Sequence, residues 1–316
     1  MNIVFFGSDN FAVPSLKALL TSAHKISCAV TQPDRKKGRA FHLQATPIKT
    51  LAYTSGIEIY QPEAANAGES IEFLKTLSPD LFIVISYGQI LSQEILSIPK
   101  IFAINVHASN LPKYRGAAPI NWAIINGERI TGITIIKMTQ KLDAGPIILQ
   151  ETAEIRDEDT VITLEEKLSK KAAELLIDSL KSIEDKTYSL TEQDEDKVSF
   201  APKLKKEDGL INWERSAQDI NNLIRGCLGW PGTFTYYNGK LLKIYKAKIS
   251  SQVRQFPGSS SGQILNVSKE GIVVVTGKDN LTIEELQIEG KKRMKVEEFI
   301  AGYKISPGDR LGYPAL

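Results

Sequence analysis

At 316 residues, with 42% hydrophobic and 24% charged residues, the chain has the size and composition of a globular protein of two domains, which excludes disorder, a fibrous repeat or a disulfide scaffold. Cys28 and Cys227 lie far apart, and the three histidines form no HxH or HxxxH pair, so a redox pair, a zinc knuckle and the common metal sites lack their ligands and catalysis is expected to be metal-free. No apolar run approaches the roughly 20 residues of a membrane span, and a strand-like run opens at Ile3 without a signal-peptide layout, so the expected location is the cytoplasm. The net charge of +2 is polarised: residues 203–316 carry 18 Lys and Arg against 12 Asp and Glu, a net +6. The basic second part points to a polyanionic partner.

In chain order, Asn2–Phe6, Lys25–Thr31, Ile57–Tyr60, Leu81–Ser86 and Phe102–His107 read as strands, being short apolar runs rich in β-branched residues. Between them, Leu16, Leu19 and Leu20 give a first helix its apolar stripe, Ile48 and Leu51 a second, and Ile71, Leu74 and Leu77 a third. This rhythm predicts an α/β domain with a Rossmann-like, doubly wound, mostly parallel sheet over 1–188. Strands near 133–137 and 146–151 follow, and a long helix is expected to open at Thr163, capped by Thr163 and Glu166 as a T-x-x-E box.

The polar stretch 189–205 reads as a linker, and 206–316 as a second, smaller domain. It opens with a helix from Ser216 to Arg225, stopped by Gly226 just past its end. Thr233–Tyr237 and Leu241–Ile249 flank Asn238-Gly239, the dipeptide best suited to a two-residue hairpin. With three further strands at 263–267, 271–276 and 281–287, this predicts a small antiparallel β-barrel of the oligonucleotide-binding (OB) kind.

Chemistry concentrates in Asn105–Arg115, N-V-H-A-S-N-L-P-K-Y-R. Residues two apart on a strand share a face, so Asn105 and His107 project together at a carboxyl strand end, where such sheets bind ligands. Asp143, in L-D-A-G between two predicted strands, can return to meet the imidazole. Acyl transfer to an amine needs a proton taken from the amine, a stabilised oxyanion and a proton for the leaving nitrogen. An Asn, a His and an Asp can supply all three without a nucleophilic Ser or Cys.

N-V-H-A-S-N-L-P-K-Y-R-G-A-A-P-I at 105–120, followed by L-D-A-G at 142–145, resembles the signature of the folate-dependent formyltransferases. F-F-G-S at 5–8, T-Q-P-D-R at 31–35, S-Y-G-Q-I-L at 86–91, G-W-P-G at 229–232 and G-K-K at 290–292 extend it over nearly the whole chain, in the order of the members that act on aminoacyl-tRNA. The resemblance implies Asn105, His107 and Asp143 as catalytic residues, 10-formyltetrahydrofolate as donor and initiator methionyl-tRNA as acceptor. It also implies folate contacts at Ser109, Asn110, Leu111, Pro112, Tyr87 and Gly88, although the family usually has S-L-L-P where this chain has Ser109-Asn110-Leu111-Pro112. The long basic connection 31–49 exceeds most strand-to-helix loops, and Lys36, Lys37 and Arg39 around Gly38 are expected to grip RNA phosphates, as the corresponding loop does in the family. The chain is read as a monomer.

Overall fold

Ile3, Val4, Phe5 and Phe6 are fully buried in the first strand, β1 (Asn2–Gly7), because a run of β-branched and aromatic residues suits a strand covered on both faces. The structure, a computed structural model, describes residues 1–37, 42–250 and 258–312. After β1 come α1 (Val13–Leu20), β2 (Lys25–Val30), a short hairpin of β3 (Arg35–Lys37) and β4 (His42–Gln44), α2 (Pro47–Thr54), β5 (Ile59–Tyr60), α3 (Gly68–Thr76), β6 (Leu81–Ile85), α4 (Gln93–Leu96) and β7 (Phe102–His107). Then follow α5 (Pro119–Ile125), β8 (Ile130–Lys137), β9 (Ile147–Glu154) and the long α6 (Val161–Glu184).

The sheet order is β5-β2-β1-β6-β7-β8-β9. It is parallel from β5 to β7 and antiparallel at β7/β8 and β8/β9. Because the chain starts in the middle and winds first one way and then the other, its switch point lies between the carboxyl ends of β1 and β6. Val4, Phe6, Cys28, Val30, Phe82 and Val84 join the Tyr87 ring in one core cluster. Burial pushes the Cys28 thiol up to about 12, and Cys227 likewise to about 12, so both are inert packing residues.

By its internal packing the chain divides into two units. One joins Met1–Pro119, Ile130–Glu154 and Leu164–Ala201; the other joins Ile120–Arg129, Ile155–Thr163 and the described residues from Pro202 onward. The second contains α7 (Ala217–Gly226), β10 (Thr233–Tyr237), β11 (Lys240–Ser250), β12 (Ile264–Ser268), β13 (Gly271–Val275), β14 (Asn280–Ile288), β15 (Met294–Lys295) and α8 (Val296–Gly302). Its strands form an antiparallel, barrel-like sheet in the order β10-β11-β14-β13-β12, with β15 on β14, around a core that includes Trp213, Ile220, Leu242, Ile283 and Phe299. Asn238 and Gly239 both have positive φ (48° and 76°), as the tight turn between β10 and β11 requires.

Two local expectations are corrected. The long helix starts at Val161, not Thr163: the Thr160 hydroxyl accepts from Thr163 N (3.4 Å) while the Thr163 hydroxyl accepts from Thr160 N (3.0 Å), a reciprocal cap that begins earlier in the chain than a Thr163-Glu166 box. Gly226 lies inside α7 rather than past its end. A Cβ there would stand 2.6 Å from Ile125 Cγ1, so close packing, not turn geometry, requires glycine. At the other end Ser216 caps α7 by accepting from Asp219 N (3.1 Å).

Candidate active site

Asn105 and His107 end β7, at the carboxyl end of the parallel run of strands. Their shared strand face turns both toward Asp143. Asn105 Nδ2 donates to Asp143 Oδ1 (3.1 Å), and His107 Nδ1 lies 3.6 Å from Asp143 Oδ2. The backbone N–H of Gly116 donates to that same Oδ2 (2.9 Å). The other imidazole nitrogen, Nε2, sits 2.9 Å from the carbonyl oxygen of Tyr114. A carbonyl only accepts, so Nε2 carries the proton shared between them. The Nδ1 edge, too far from the carboxylate for a good hydrogen bond, is left for a reacting group. His107 and Asp143 side chains are 6% and 9% exposed, so the pair stands in a low-dielectric setting where a fixed dipole acts strongly.

The segment after β7 is held by internal polar bonds. Ser109 Oγ donates to Lys113 O (2.6 Å), Thr134 Oγ1 donates to Ser109 O (2.6 Å), and that threonine hydroxyl accepts from Leu111 N (3.2 Å) and Gln150 Nε2 (2.7 Å). Gln150 also donates to Leu111 O (2.9 Å). Ser109 and Leu111 side chains are buried within this loop, and Pro112 after them is half-buried. Asn110 donates from Nδ2 to Thr131 O (2.8 Å) and rests its buried Oδ1, which has no hydrogen-bond partner, directly over Gly132. A Cβ on Gly132 would meet that oxygen at 2.0 Å, so the asparagine at 110 has its space from this glycine. Gly116 answers to similar geometry: φ is +126° and a Cβ would stand 2.6 Å from Ala201 O, so only glycine brings this amide to Asp143.

At the switch point, Ser8 Oγ and Gln32 Nε2 both donate to Tyr87 O (2.9 and 3.2 Å), and Gln32 N donates to Ser8 Oγ (3.2 Å). Gly88 follows with φ +90°. The Tyr87 ring itself packs edge-on against Phe6, its buried hydroxyl is without a hydrogen-bond partner, and burial pushes the phenol well above its ordinary range. Tyr87 therefore offers backbone, not its ring, at the rim.

Lys36 and Lys37 belong to β3, in the hairpin with β4, which the sequence did not signal as structured. Arg39 lies outside the described residues. The base of the connection is clamped: Thr31 and Thr46 hydroxyls are 2.7 Å apart, Lys49 Nζ meets Asp34 Oδ2 at 2.6 Å, and Gln61 Nε2 donates to Asp34 Oδ1 (2.8 Å). The Lys49 and Gln61 hydrogen bonds hold the Asp34 carboxyl below its usual range.

Sequence reasoning missed Arg115 and Gln193. Arg115, 5% exposed, donates from Nε and Nη2 to Gln193 Oε1 (3.0 and 2.9 Å) and from Nη2 to Glu195 Oε1 (2.9 Å). The segment behind them pairs backbone to backbone, Arg115 N donating to Ser199 O (2.9 Å) and Ala201 N to Arg115 O (2.8 Å). A lone Gln in a polar run has no periodicity to reveal it. Among the described residues no group of three or more His, Cys, Asp or Glu is placed to hold a metal ion, and no helix is long and apolar enough to cross a membrane.

Residues 1–180 match the formyl transferase family and residues 203–304 the formyl transferase C-terminal domain, so sheet, site and second domain define a formyl transferase in class. Among curated proteins, the methionyl-tRNA formyltransferase of Geobacter metallireducens is 42% identical, with 99% of each chain covered. That of Citrifermentans bemidjiense is 44% identical over 99% of this chain and 96% of its own. The chain belongs to the methionyl-tRNA formyltransferase family. Among solved structures, WlaRD, a sugar 3N-formyl transferase crystallised with dTDP and 5-N-formyl-THF, shares the fold with a TM-score of 0.68 at 19% identity, over 92% of this chain and 99% of its own.

Proposed function

We propose that the protein transfers the formyl group of 10-formyltetrahydrofolate to the free amino group of initiator methionyl-tRNA, giving N-formylmethionyl-tRNA. The observation that carries this reading is the meeting of Asn105, His107 and Asp143 at the end of β7 in a chain of this family. The amino nitrogen of the acceptor attacks the formyl carbon, the carbonyl oxygen becomes an oxyanion, and collapse expels N10 of the folate. As an imidazolium, with Nε2 held by Tyr114 O, His107 donates from Nδ1 to the oxyanion, and the second Nδ2 hydrogen of Asn105, the one not engaged by Asp143, adds to it. The Asp143 carboxylate, preorganised by Asn105 and Gly116, stabilises a protonated His107 and takes the amine proton through water for delivery to N10.

The folate lies along the 109–112 segment and the rim at Tyr87 and Gly88, at the carboxyl ends of the parallel strands, where internal hydrogen bonds hold the backbone in place. The acceptor RNA is gripped at its phosphates by Lys36 and Lys37 of β3 together with Arg39, in a connection whose base is fixed by Asp34 and Lys49, and the basic second domain adds to the attraction. The protein works as a cytoplasmic monomer, where both water-soluble substrates occur. The test is incubation with 10-formyltetrahydrofolate and charged initiator tRNA, followed by assay for N-formylmethionine. Product on the tRNA is expected; transfer only to a small amine, or to none, would overturn the reading.

A further inference from the structure

Gln193 is 8% exposed and uses every polar position it has. Arg115 can only donate, and two of its nitrogens point at Gln193 Oε1, which fixes the amide orientation without ambiguity. The two hydrogens of Nε2 therefore face the other way, and they bond the carbonyl oxygens of Asp143 and Gly145, each at 2.8 Å. Those carbonyls bracket the turn that carries the carboxylate. Asp143 itself sits at φ +49°, a left-handed conformation that costs a non-glycine residue about 1 kcal/mol and persists only where its surroundings hold it.

We propose that Gln193 is a positioning residue for Asp143: it pins the 143–145 turn so that the carboxylate meets Asn105, Gly116 and His107, and through Arg115 it ties that turn to the 105–116 segment. This assignment rests on the role of Asp143 in the proposed function. Two hydrogen bonds on each side make Gln193 a bridge between the two halves of the site, since Arg115 directly precedes Gly116, whose amide holds Asp143 Oδ2. A displacement of about 1 Å in a reacting constellation is enough to cost about a hundredfold in rate.

The competing explanation is that Gln193 merely satisfies the buried Arg115. Gln193→Glu separates the two, because a carboxylate still accepts from Arg115 but cannot donate to either carbonyl. Positioning predicts that Q193E lowers kcat at least tenfold while KM for both substrates stays within twofold, and that the Gly116 amide exchanges its hydrogen faster. Turnover within twofold of the parent, a matching rise in KM, or an unchanged Gly116 exchange rate would each overturn the proposal. Should the buried charge of Q193E disturb folding, Gln193→Met is compared in an Arg115→Met background, where no guanidinium is left to satisfy: positioning predicts the same further fall in kcat, and no further fall would overturn the proposal. If the parent protein moves no formyl group at all, the proposed function fails, while Gly116 exchange in Q193E still decides whether Gln193 holds Asp143.

Discussion

The segment 108–116 and the connection 31–49 both leave carboxyl strand ends, yet their described residues are bonded differently. In the first, hydrogen bonds recur almost residue by residue: Ser109, Asn110, Leu111, Tyr114, Arg115 and Gly116 are each bonded to Thr134, Gln150, Thr131, Ser199, Gln193 or Asp143, or within the segment. Among the described residues of the second, the side-chain bonds gather at the base, around Thr31, Asp34, Thr46, Lys49 and Gln61, with the short β3/β4 pairing beyond them. Chemistry on a formyl carbon needs groups fixed to a fraction of an ångström, whereas gripping a phosphate backbone needs charge on an arm that can follow a groove.

The largest effect is expected where that rigidity meets the reaction. His107→Ala and Asn105→Ala, assayed for formyl transfer at saturating substrates, are each expected to lower kcat by about a hundredfold or more, or about 2.7 kcal/mol of transition-state stabilisation. Near-normal turnover in a folded variant would sink the assignment. Gly116→Ala comes next. Its Cβ has no space beside Ala201 O and its φ is hostile, so a loss of about 2 kcal/mol in denaturant unfolding is expected together with a drop in kcat. Unchanged stability and activity would show the segment to be more yielding than its geometry indicates.

On the other side of the comparison, neutralising Lys36, Lys37 and Arg39 together is expected to raise KM for tRNA and leave KM for the folate alone. The slope of log affinity against log salt should flatten by up to about 0.9 for each phosphate that is no longer neutralised. An unaltered salt titration would move RNA recognition entirely to the basic second domain. The smallest effect belongs to the clamp. Because the Asp34 carboxyl is lowered in the folded protein, its contribution is present above the ordinary carboxylate pKa and is lost as pH falls through the lowered value. Asp34→Asn should therefore weaken tRNA use modestly at neutral pH, and the difference between parent and variant should vanish at acid pH. A difference that persists there would place the effect elsewhere.

The same contrast governs what the sequence could reveal. Asn105 and His107 were legible because a strand puts alternate residues on one face, and the βαβ rhythm located the switch point because apolar runs report burial directly. Asp143 was legible only as a carboxylate in a turn between two predicted strands, and the family motif strengthened it, since no periodicity links a turn to a strand that ends 36 residues earlier. Gln193 and Glu195 were hidden in a polar stretch that reads as connection, and their value comes only from lying against buried Arg115. The β3/β4 hairpin was hidden by its Arg-Lys-Lys composition, which carries no alternation. The start of α6 was misplaced because Thr160 and Thr163 both suit a cap; in the structure Thr160 takes the cap position and the Thr163 hydroxyl closes the pair.

Asp143→Asn tests the central claim most directly. Asparagine tolerates the left-handed conformation at φ +49° as well as any non-glycine residue and keeps the side-chain shape, so the substitution removes the carboxylate charge, with one of the two hydrogen bonds accepted from Asn105 and Gly116, while sparing the turn. In a single-turnover reaction with 10-formyltetrahydrofolate and charged initiator tRNA, the D143N protein is expected to bind both substrates with near-parent affinity and to form N-formylmethionine about a hundredfold more slowly. Formation at the parent rate would contradict a site in which the Asp143 carboxylate drives transfer.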